Sequence, residues 1–70
     1  MQTKLKALLY EKGVTQRKLA EQLGILEQTL GYKLRGKREF TLSEIWKICM
    51  VLEISNPFDV FVYQEKNELR

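Results

Sequence analysis

The sequence predicts an all-α domain of five short helices. Apolar residues recur three and four positions apart in successive stretches. Each stretch is bounded by a capping residue or a glycine, and strand-like patterning is confined to one run, Val60 to Tyr63. Seventy residues suffice for one modest core, so 1–70 reads as a single domain without linker, repeat or low-complexity tract.

The first helix covers about 4–12, with Leu5, Leu8 and Leu9 on one stripe and Gly13 as its stop. Thr15 stands as the N-cap of the second, whose Leu19, Ala20 and Leu23 face inward and whose C′ residue is Gly24. Leu26, Leu30 and Leu34 follow at i, i+4 and i+8, the inward row of a third helix ending at Gly36. Thr41-Leu-Ser-Glu44 is a capping box, with Phe40 and Ile45 at hydrophobic-staple positions. Leu42, Ile45, Ile48, Cys49 and Leu52 then form the most apolar helical face, with Trp46 read as packing at its edge. Asn56-Pro57 opens a short fifth helix through about Phe61. Val60-Phe-Val-Tyr63 suits a strand equally well, so 60–64 stays open between helix and strand, and 62–70 reads as a possible extended tail.

Composition removes several function classes. There is no histidine and a single cysteine, Cys49, on the apolar face of the fourth helix. Neither a Ser-His nor a Cys-His pair, a zinc ligand cluster, nor a phosphate-binding glycine loop can be assembled, so no catalytic residue, metal or cofactor is expected. Glu65 and Glu68 read as solvated tail charges. No apolar run approaches the roughly 20 residues that cross a bilayer, and the N-terminus lacks signal-peptide features. With one cysteine no intramolecular disulfide forms, which fits a reducing, cytoplasmic setting.

Charge is segregated. Residues 1–38 carry nine Lys/Arg against three acids, a balance of +6, whereas 39–70 carry three against six, a balance of −3. A basic face of this kind suits a polyanion. The short break at Gly24 adds geometry, because two helices joined by so tight a turn cross steeply, as in a helix-turn-helix spanning about 15–35. The same apolar pattern also suits a plain αα-hairpin, so the outward residues decide. With Leu26, Leu30 and Leu34 inward, Gln28, Gly31, Tyr32 and Arg35 face out. Gln matches an adenine edge, and an aromatic ring or Thr methyl can meet the thymine methyl in a major groove. Arg17 and Lys18 open the second helix, and Lys33, Arg35, Lys37 and Arg38 surround the end of the third, where phosphates would lie.

The strings "KGVTQRKLAEQLGI" and "LGYKLRGKREFTLSEIWKICMVL" resemble the helix-turn-helix family of phage lambda-type repressors and Cro proteins, over roughly 4–62. "KLRGKREFTLSEI" is similar to small phage and prophage regulators of Gram-positive bacteria. The resemblance implies a compact five-helix DNA-binding domain that binds double-stranded operator DNA as a transcriptional regulator. It implies base-reading positions at Glu27, Gln28, Thr29 and Tyr32, and a phosphate-contacting, buttressing glutamine at Gln16. The family's basic loop matches Lys37 and Arg38, with Lys33 and Arg35 just before it. The chain departs from the pattern in having Leu26 where a Ser N-cap is common, and Lys33 where many members have an aliphatic residue.

Seventy residues leave no room for the separate cleavage domain of full-length lambda-type repressors, so a Cro-like repressor is expected. Phe58 and Phe61 are expected to close the core below the fourth helix, with Val60, Val62 and Tyr63 as the contact row of a homodimer. A DNA-binding antitoxin with a protein partner, and a helical protein-interaction module, remain the alternatives.

Overall fold

A computed structural model describes residues 2–61. It contains four α-helices and one 3-10 turn: α1 Thr3–Lys12, α2 Gln16–Leu23, α3 Glu27–Leu34, α4 Leu42–Leu52 and the turn Pro57–Asp59. The fifth helix expected from the sequence is therefore only this turn. Asn56 Oδ1 accepts from the Phe58 amide at 3.0 Å and starts it. The amides of Val60 and Phe61 both close on the Pro57 carbonyl, so the coil goes no further. The chain then leaves with Phe61 buried, its ring edge-on to Phe40 at 5.5 Å. No strand occurs among the described residues. Val60 is half-buried and packs on the core, while Val62, Tyr63 and the rest of the tail lie outside the described residues.

Local chemistry explains the helix ends. Thr15 Oγ1 accepts from the Lys18 amide at 3.1 Å, capping α2, and Thr41 Oγ1 accepts from the Glu44 amide at 3.2 Å, capping α4. Gly24 takes φ 71°, a left-handed conformation that a Cβ would penalise. There the Gly24 amide bonds back to Glu21 and the Ile25 amide to Ala20, a Schellman closure that turns the chain directly into α3.

α2 packs against both α3 and α4, and α1 against α3. Leu5, Leu19, Leu30, Leu34, Ile48 and Leu52 are fully buried where they meet. Each such side chain contributes about 1.5–3 kcal/mol of burial free energy. Ala20 and Cys49 are buried in the same core, as their sequence positions predict.

Four apolar side chains depart from expectation. Leu26 begins α3 as its N-cap and points outward, leaving Leu30 and Leu34 to hold the helix. On α4, Leu42 and Trp46 are exposed, because the buried row is Ile48, Cys49 and Leu52 with Ile45 alongside. Phe58 is exposed as well, so Phe61 alone of that pair enters the core. No helix among the described residues is long and apolar enough to cross a membrane.

Candidate nucleic-acid interface

α3 is a helix with two different sides. Leu30, Lys33 and Leu34 are buried, while Glu27, Gln28 and Arg35 are exposed and Thr29, Gly31 and Tyr32 half-exposed. On the outer side Gln28 Nε2 donates to Tyr32 Oη at 3.0 Å, one turn apart. The Arg35 guanidinium lies over the Tyr32 ring, 5.3 Å from its centroid. Gln28, Tyr32 and Arg35 thus form a continuous polar and aromatic ridge. Gly31 sits beside it. A Cβ there would meet Arg35 Nη1 at 3.4 Å and no neighbouring helix, so the glycine does not serve helix packing.

The predicted flanking residues fall at the two ends of that ridge. Gln16, half-buried, starts α2, and Arg17 and Lys18 beside it are exposed. Arg17 Nε lies 3.9 Å from Glu27 Oε1, which ties the start of α2 to the start of α3. Both side chains are largely solvated, so this pair adds little stability. At the other end α3 closes through Gly36 at φ 83°, with Gly36 and Lys37 amides bonded back to Lys33 and Tyr32 carbonyls. This closure turns the chain sharply into Lys37 and Arg38, both exposed.

Lys33 does not belong to the phosphate-facing set in which the sequence reading placed it. Its side chain is 8% exposed, and Nζ donates to Glu44 Oε1 at 2.6 Å while lying 5.9 Å from the Phe40 ring centroid. The same Glu44 oxygen accepts from the Thr41 amide at 2.9 Å, completing the capping box of α4. Burial pushes the Glu44 carboxyl pKa upward, but hydrogen bonds from Lys33 and Thr41 and the Lys33 charge outweigh it. The net pKa is below the ordinary 4.5. Lysine is so seldom buried unless paired that its position on α3 by itself reads as solvent-facing. One signal was available: Lys33 occupies a position where the resembling family commonly has an aliphatic residue. A chain position that wants burial will hold a lysine only with a carboxylate opposite, and Glu44 is that carboxylate.

No cluster of side chains suited to hold a metal occurs among the described residues. The arrangement is instead a rigidly backed helix presenting hydrogen-bonding groups, with cations at either end. A family model described as Cro/C1-type HTH DNA-binding domain matches residues 4–66. No curated protein and no solved structure matches the chain.

Proposed function

The chain belongs to the Cro/C1-type HTH DNA-binding domain family, and from that membership we propose that it is a Cro-like repressor of phage or prophage type, acting at a two-fold symmetric operator. α3 enters the major groove, and the bound protein blocks polymerase sterically. The observation that carries this reading is the outward ridge of Gln28, Tyr32 and Arg35 on a helix whose inner side is fully anchored.

Each residue then has a role that follows from its chemistry. Gln28 offers an acceptor and donors to an adenine edge, and Thr29 and Tyr32 offer methyl and ring surface to thymine. Glu27 accepts from a cytosine amine, or remains with Arg17 and so keeps its charge from the phosphates. Gln16, Arg17 and Lys18 bind the backbone at the start of α2, and Arg35, Lys37 and Arg38 at the end of α3. Two copies meet half-sites about 34 Å apart, one helical turn of DNA.

Operator selection from random duplex DNA tests this, run in parallel on the wild type and Gln28→Ala. The expected result is a symmetric consensus that loses discrimination at one position per half-site in the variant, by about 1–3 kcal/mol. Enrichment of no sequence, with only salt-sensitive retention, would overturn base reading by α3.

A further inference from the structure

The outer face of α4 has no role in the reading above, and its chemistry is unlike that of a solvated helix face. Leu42, Trp46 and Met50 follow one another at i, i+4 and i+8, with exposures of 82%, 72% and 73%. None of them belongs to the core or packs on it. The helix carries only two charged residues, Glu44 and Lys47, and Glu44 is taken up by Lys33. Lys47 is therefore the one charge left to the exposed side of α4.

We propose that this stripe is the surface through which two copies of the chain associate, α4 packing antiparallel on α4 of the second copy. Three features point to a copy of itself as occupant. The first is internal symmetry: Leu42 and Met50 flank Trp46 at equal spacing, so a two-fold axis through Trp46 sets each against the other's counterpart. The second is shape. Leu42, Ser43 and Trp46 line an open apolar depression one turn from the exposed Met50. In the antiparallel pairing the partner's flexible methionine enters that depression, and the reciprocal contact forms at the same time. The third is area. The three residues expose on the order of 400–500 Å² per copy, about half of the roughly 800 Å² that each partner of a standard interface buries, so they would form its centre with neighbouring residues at the rim. Tryptophan and methionine, two of the three, are enriched at protein interfaces.

This proposal rests on the operator reading for its purpose, since it supplies the two copies, but self-association is tested without DNA. Trp46 is the only tryptophan, so its emission reports directly on the stripe. Sedimentation equilibrium of the full chain over a concentration series, with Trp46 emission and acrylamide quenching on the same samples, is the experiment. The expected result is a monomer–dimer equilibrium in which dimer formation shifts Trp46 emission to the blue and slows quenching. Leu42→Glu and Met50→Lys should each weaken association by at least about 30-fold, with helical circular dichroism unchanged, because both residues are exposed. The double variant Leu42→Glu/Met50→Lys should recover dimerisation, since antiparallel pairing places the new charges opposite one another. A monomer at every concentration overturns the proposal, and quenching of that monomer says whether residues of its own chain cover Trp46. A dimer insensitive to both single variants overturns it too, by placing the contact elsewhere. Dimers that form as expected yet enrich no DNA sequence would leave this interface standing and refute the operator reading alone.

Discussion

Truncating Glu44 to alanine should cost about 4 kcal/mol of folding free energy, far more than a half-exposed capping residue ordinarily does. The Glu44 side chain holds two things with one oxygen, the Thr41 amide at 2.9 Å and the Lys33 ammonium at 2.6 Å. Losing its share of the cap costs about 1 kcal/mol. Stranding the Lys33 ammonium, 8% exposed beside the Phe40 ring, costs a further ~3 kcal/mol, as for a broken buried pair. A domain of this size has roughly 3.5–10 kcal/mol in total, so the variant should be close to its unfolding threshold. Urea denaturation followed by far-ultraviolet circular dichroism measures this. In a Lys33→Met background the same truncation should cost only the cap, about 1 kcal/mol, because no ammonium remains to be stranded. Equal costs in the two backgrounds, within about 0.5 kcal/mol, would refute the coupling between α3 and α4.

The same pair sets an acid limit. The folded Glu44 pKa lies below its ordinary 4.5, so its stabilisation is present above pH 4.5 and is lost as pH falls through the lower folded value. Lys33→Met should flatten that part of the stability–pH curve; an unchanged slope would show that other carboxylates carry it. Lys37→Ala and Arg38→Ala should each reduce the slope of log K against log salt by about 0.9 per lost phosphate contact, whereas Lys33→Met should leave the slope unchanged. Gly31→Ala should stabilise the free protein by up to about 1 kcal/mol, since a Cβ meets only the flexible end of Arg35, yet weaken operator binding if DNA approaches the backbone there. Paired melting and binding curves separate the two effects. Stabilisation with undiminished binding would assign Gly31 no role at the DNA.

Local signals in the sequence proved reliable because their physics is local. Thr15, Gly24 and the Thr41–Glu44 box act over three or four residues, and each does in the structure what its position predicts. The residues that resisted reading are those whose burial depends on another helix. α4 has two apolar rows, Ile48–Cys49–Leu52 and Leu42–Trp46–Met50, and periodicity cannot say which one α2 will cover. Lys33 needed the opposing carboxylate of Glu44 to be known before it could be buried. The fifth helix is only a turn, with the Val60 and Phe61 amides both on the Pro57 carbonyl, and Phe61 lies in the core against Phe40, a long-range contact that local pattern does not show. In the candidate site, the outward placement of Gln28, Tyr32 and Arg35 was legible from their angle on α3, but the contacts joining them into one ridge were not.

The buried groups that fix α3 against the core, Leu30, Lys33 and Leu34, lie on its inner side. Gln28, Tyr32 and Arg35 hydrogen-bond and stack within the helix itself. The outer side chains are therefore a replaceable vocabulary on a fixed frame. If α3 reads DNA as proposed, exchanging these exposed side chains should alter base preference while leaving the buried inner side of the helix, and so the melting temperature, nearly unchanged. An engineer who leaves the Lys33–Glu44 pair intact has the same freedom.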